Sequence, residues 1–133
     1  MEIIAEISAK LGASDFLMEL TNDTHHWQAD EPTEIGGSNQ GPNPYELLLS
    51  SLSACSAITM KMYANRKEWP LEGVEIKCDL VKTDQGSPSW IMRKIQIFGV
   101  LDEDQKARLI QIADLCPVHK MLSSGVKIQT ESN

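Results

Sequence analysis

The chain has 133 residues, 41% hydrophobic, 23% charged and only 5% aromatic, with a formal net charge of −7 at pH 7. That length suits one domain, residues 1–133, whose core is filled by Leu, Ile, Val, Met and Ala. The acidic balance repels phosphate backbones, and the basic cluster of Lys61, Arg66 and Lys67 falls inside a predicted helix, so nucleic acid is not an expected partner.

Met1-Glu2-Ile3-Ile4 lacks the basic start and apolar core of a signal peptide, which predicts a cytoplasmic protein in a reducing compartment. Residues 2–9 and 15–22 are short apolar-rich runs parted by Lys10-Leu11-Gly12-Ala13-Ser14 and read as a strand hairpin. Asn22-Asp23-Thr24 signals a second turn, after which residues 25–30 form a third strand. From Glu31 to Gly41 the composition shifts to Pro, Gly, Ser and Asn, a loop long enough to be functional or flexible.

A helix follows from Pro44 to about Glu68. Asn43 is its cap, Pro44 fits the first helical position and Glu46 completes a capping box. Between Leu47 and Met62 the apolar residues leave mostly small hydroxyls between them, which predicts a helix buried nearly all round. That run falls short of the about 20 apolar residues of a membrane span, so no membrane is expected. Trp69-Pro70 stops the helix. Val74, Ile76, Cys78 and Leu80 then alternate with Glu75, Lys77, Asp79 and Val81 as a half-buried strand. The turn at 84–89 joins it to a partner strand over 90–100. Asp102 and Gln105 cap a second helix with Leu109, Ile110, Ile112, Ala113 and Leu115 as its buried stripe. Pro117 opens a short helix to Leu122, Gly125 ends it, and Val126–Thr130 closes the chain as a strand. This order is that of an α+β protein, with antiparallel sheets around a long buried central helix. One chain of this size is short of cover for such a helix, which points to a homodimer that shares it.

Three cysteines without CxxC spacing argue against a disulfide framework. Cys55 sits mid-helix, where a free thiol is commonly core filler, and Cys78 in the alternating strand reads as core. Cys116 is placed before Pro117, beside the unpaired amides of a helix start, a setting that favours the thiolate, and His119 lies three residues on. A metal set of Cys116, His119, His25 and His26 lacks a second spaced ligand pair, and the two adjacent histidines point to opposite strand faces, so no metal or cofactor is expected. There is no Walker lysine after Gly36-Gly37-Ser38-Asn39-Gln40-Gly41 and no GxSxG elbow.

The segment from Gly41-Pro42-Asn43-Pro44 through Leu52-Ser53-Ala54-Cys55 to Trp69-Pro70-Leu71, together with Leu115-Cys116-Pro117-Val118-His119-Lys120, resembles the OsmC/Ohr family of osmotically inducible and organic hydroperoxide resistance proteins. The order of elements is similar along essentially the whole chain. The resemblance implies an OsmC-like fold, an intertwined homodimer, and a thiol peroxidase in which Cys55 attacks the O–O bond and Cys116 resolves the sulfenic acid as a disulfide. A dithiol, such as a lipoylated protein, would then reduce it. The chain departs from the family at the charged helpers: no arginine precedes Arg66, and Tyr45 stands where the family has a glutamate. Glu46 is no simple replacement, since nine residues set it about 180° from Cys55 around the helix. The cations on offer are His25, His26 and His119. The alternative function is a small-molecule-binding or redox-sensing protein of the same fold that has lost peroxidase activity.

Overall fold

The structure, a computed structural model, describes residues 1–83 and 88–133. It divides into two units, Met1–Leu48 and Leu49–Asn133. The first opens with three antiparallel strands, β1 (Ser8–Leu11), β2 (Met18–Thr21) and β3 (His26–Ala29), in that spatial order. This is the expected meander with shorter strands. Ser8 pairs with Thr21 and Leu11 with Met18, so residues 2–7, expected in the first strand, fall outside the ladder and have no facing backbone to bond among the described residues. The Asn22 turn forms because its Oδ1 accepts the N–H groups of Thr24 and His25 at 3.0 and 2.8 Å.

The loop that follows is organised by a buried carboxylate. Asp30, 2% exposed, accepts the N–H of Glu31 at 2.8 Å on one oxygen and those of Ser38 and Gln40 at 3.3 and 3.2 Å on the other. Its own N–H donates to the Pro42 carbonyl. Burial pushes the Asp30 carboxyl up, and the three backbone donors together outweigh that and hold it below its ordinary value. The chain folds back so tightly that a Cβ at Gly37 would lie 1.9 Å from the Glu31 carbonyl oxygen, and one at Gly41 would lie 2.4 Å from that of Gln28. Of the two expectations for this loop, flexibility does not hold, because the segment is pinned through its own backbone.

Helix α1 (Pro44–Arg66) starts in the first unit and continues through the second. Its capping box is present: Asn43 Oδ1 accepts from the Glu46 N–H at 2.8 Å, and Glu46 Oε1 accepts from the Asn43 N–H at 2.9 Å. It ends two residues earlier than the sequence suggests. Glu68 takes a left-handed conformation at φ 58°, the Trp69 N–H reaches back to the Ala64 carbonyl and the Glu68 N–H to that of Asn65, a Schellman closure with glutamate where glycine is usual. Among the described residues α1 is the one helix long and apolar enough to cross a membrane, by length and composition only, because its 23 residues exceed the apolar run read from the sequence.

In the second unit, β4 (Leu71–Lys82) and β5 (Pro88–Gly99) pair antiparallel with Val74 opposite Ile97, Ile76 opposite Ile95, Cys78 opposite Arg93 and Leu80 opposite Ile91. Of the turn expected at 84–89, residues 84–87 lie outside the described residues, and Pro88 and Ser89 belong instead to β5, since the Pro88 backbone pairs with Lys82. Asp102 and Gln105 form the expected capping box of α2 (Glu103–Ala113), and Cys116 with Pro117 opens α3 (Pro117–Ser124). The core gathers Met60, Ala64, Leu71, Leu109 and Ala113, with Tyr63, Trp69, Val74, Ile95, Ile97 and Leu101 packed around it. Of the stripe predicted for α2, Leu109, Ile112 and Ala113 are buried, whereas Ile110 and Leu115 are exposed. Arg66, Lys67 and Arg108 gather over the Tyr63 ring, 5.2 to 5.7 Å from its centre, so part of the basic cluster is held by an aromatic face.

One expectation, burial of α1 on nearly every side, depends on a second copy of the chain, and another, the closing strand, needs correction. Within one chain α1 buries a single stripe, Leu52, Ser56, Met60 and Ala64 at four-residue intervals, while Ile58 and Met62 remain 53% and 66% exposed. A two-stranded sheet and one packed helix cover only one side of a cylinder. Val126–Thr130 forms no strand, since apolar alternation makes a strand only where an edge is available to pair with, and none pairs with it among the described residues.

Candidate active site

The second unit carries a buried thiol at the start of α3. Cys116 is the N-cap, in extended conformation at φ −66° and ψ 143°, with Pro117 fixing the first helical residue. Its Sγ accepts the His119 N–H at 3.3 Å, and the residue is fully buried. One helix-start amide, that of His119, therefore points at the sulfur, the setting that the Cys116-Pro117 pair predicts. Facing it from α1, 3.6 Å away, is the Ser56 hydroxyl, also fully buried.

A cation that sequence reading missed completes the cluster. Arg93 on β5 has a side chain only 13% exposed, donates Nη1 to Ser56 Oγ at 2.8 Å and to the Ala113 carbonyl at 3.3 Å, and pairs through Nη2 with Asp114. The Asp114 carboxylate lies 3.9 Å from His119 Nδ1. One guanidinium thus joins β5, α1 and the junction of α2 and α3. The sequence does carry a signal for it. Alternation on β5 sends Ile91, Arg93, Ile95 and Ile97 inward, and an arginine in that register is misplaced unless something buried receives it.

Cys55 precedes Ser56 on α1, about 100° around the helix. It is a free, partly exposed thiol, and no hydrogen bond to its sulfur forms among the described residues. Cys116 is also free, and its approach to Ser56 brings it to the residue adjoining Cys55. Cys78 is half-buried on β4, where its sulfur lies 3.2 Å from the Ser53 hydroxyl, one turn from Ser56. Arg93 and His119 also line a cleft of about 690 Å³ whose other lining residues include the apolar Leu52, Leu80, Ile91, Met92 and Leu122.

The remaining candidates are engaged within the first unit. His26 Nε2 pairs with Glu19, which also accepts from Gln28 at 2.8 Å; the Gln28 hydrogen bond and then the His26 one hold the Glu19 carboxyl below its ordinary value. His25 closes the Asn22 turn through its backbone, Glu46 is in the capping box, and Tyr45 is exposed.

The family model for OsmC-like proteins matches residues 37–131. A search of curated proteins gives no match. Among solved structures, one described as an osmotic-stress-induced and detoxification response protein of Psychrobacter arcticus aligns with a TM-score of 0.77 at 19% identity, over 90% of this chain and 89% of that one. An OsmC-like protein of Mycoplasma pneumoniae aligns with a TM-score of 0.74 at 21% identity, over 93% and 90% of the two chains. The organic hydroperoxide resistance protein OhrB of Bacillus subtilis aligns with a TM-score of 0.63 at 19% identity, over 92% of each.

Proposed function

The chain belongs to the OsmC-like family, with the family's α+β fold, and from that premise we propose that it is a thiol peroxidase for organic hydroperoxides, using Cys55 and Cys116. The observation that carries this reading is the 3.6 Å approach of Cys116 Sγ to Ser56, which delivers one thiol to the helix position next to the other. Exposure divides the roles. Cys55 is partly accessible to a bulky substrate and Cys116 is buried, as suits an attacking and a resolving thiol.

In the proposed cycle the Cys55 thiolate attacks the distal oxygen of ROOH, the O–O bond breaks, Cys55 becomes a sulfenic acid and RO⁻ leaves to take up a proton as ROH. Cys116 then displaces hydroxide from that sulfur, water is released and a Cys55–Cys116 disulfide forms. An external dithiol, such as a lipoylated protein, restores both thiols and is itself oxidised to a disulfide. The apolar cleft beside Arg93 and His119 suits the organic part of the peroxide. We also propose a homodimer, because Ile58 and Met62 on α1 remain more than half exposed among the described residues, and a cytoplasmic location. A peroxidase assay with tert-butyl hydroperoxide and a dithiol tests the reading. Cys55→Ser should abolish turnover, and unchanged activity in that variant would remove the hypothesis.

A second reading is favoured by Tyr45 in place of the family glutamate and by the lack of any arginine before Arg66. It is a redox sensor or binding protein with the same thiol pair but no turnover. Reversible disulfide formation without multiple turnovers in that assay would select it.

A further inference from the structure

Ser56 and Cys116 share a hydrogen-bond inventory that closes only in one arrangement. A serine hydroxyl has one hydrogen and two lone pairs. The Ser56 hydrogen goes to the Leu52 carbonyl at 2.7 Å, one lone pair receives Arg93 Nη1 at 2.8 Å, and the second faces Cys116 Sγ at 3.6 Å. The thiol must therefore be the donor across that last gap, while its sulfur accepts from the His119 N–H on the other side. In this state the reduced thiol is fully satisfied. Once it loses its proton the sulfur only accepts, and Ser56 can serve it only by turning its O–H away from Leu52. Arg93 holds the oxygen in place throughout, and is itself anchored by Asp114 and the Ala113 carbonyl.

We propose that Arg93 is a positioning residue for Cys116, holding Ser56 as a two-position hydroxyl that accepts from the thiol and donates to the thiolate. The inference rests on the two-cysteine reading above for its role in resolution, but not for its test. Among the described residues the titratable and charged groups gathered around Cys116 are Arg93 on β5, Asp114 after α2 and His119 on α3, with the thiol of Cys55 on α1 next in sequence to Ser56.

The test is the rate of iodoacetamide alkylation of Cys116 against pH in the reduced full-length protein, read by mass spectrometry with Cys55 as internal reference. A change in access scales the rate at every pH alike, whereas a change in thiolate population moves the midpoint. Arg93→Met and Ser56→Ala should each move the Cys116 midpoint upward by about one pH unit, the size of one charge-assisted hydrogen bond, and leave that of Cys55 in place. Arg93→Lys should recover part of the shift, and His119→Gln isolates the imidazole's own titration. Should Arg93→Met fail to fold, Ser56→Ala decides alone. An unmoved Cys116 midpoint, or a shift at Cys55 instead, overturns the relay. No hydroperoxide enters this measurement, so failure of the peroxidase reading would show separately, as no disulfide on treatment with peroxide.

Discussion

Asp30 and Cys116 are both buried polar side chains, one in each unit of the chain, and they are satisfied in different ways. Among the described residues the partners of the Asp30 carboxylate are backbone N–H groups, those of Glu31, Ser38 and Gln40. Such donors cannot rotate away, so the arrangement has one state and its work is to hold the loop. Cys116 has one fixed backbone donor, His119, and on its other side a serine hydroxyl that Arg93 positions but does not exhaust. A rotatable hydroxyl lets that cluster adapt when the sulfur changes charge or bonding. Burial with fixed partners marks structure, and burial with partners that can exchange marks chemistry.

The contrast can be broken most forcefully at Asp30. Asp30→Ala leaves three backbone donors without their acceptor, and we expect the largest loss of thermal stability of any change considered, with faster hydrogen exchange at the amides of Ser38 and Gln40. The alkylation profile of Cys116 should not move. Ser56→Ala should do the reverse, with a smaller cost of about 1–3 kcal/mol in urea unfolding, from the acceptor lost to Arg93, together with the shifted Cys116 profile.

Acid sharpens the comparison further. Because the Asp30 carboxyl sits below its ordinary value when folded, its stabilisation is fully present above about pH 4 and is lost as pH falls through the lower folded-state value. Asp30→Asn should remove this part of the acid dependence of melting, leaving a flatter profile below pH 4; an unchanged slope would mean the carboxylate is not what holds the loop. The smallest effect is expected at Glu68. Glycine at this left-handed position should raise stability by about 0.5–1 kcal/mol and alter no thiol chemistry.

Features set by neighbours in sequence were legible from it. The caps at Asn43 and Asp102, the break at Cys116-Pro117 and the alternation of Val74, Ile76, Cys78 and Leu80 depend on residues a few positions apart, and all appear in the fold. The Arg93 cluster was not, because its partners Ser56 and Ala113 stand 37 and 20 residues away and meet only when β5, α1 and the end of α2 pack together. Asp30 escaped notice for a related reason, since a carboxylate that binds backbone amides needs no particular side chains beside it. Val126–Thr130 shows the opposite failure. Its alternation is real, but a strand is a property of two segments, and one was read.

If Cys55 and Cys116 form one redox pair, a single oxidation should join them. One equivalent of tert-butyl hydroperoxide is added to the reduced protein, followed by peptide mapping under non-reducing conditions. A Cys55–Cys116 linked peptide is expected, which a dithiol removes and either single Cys→Ser substitution prevents. A Cys55 that accumulates as sulfenic acid, trapped by dimedone, while Cys116 remains a free thiol would contradict it.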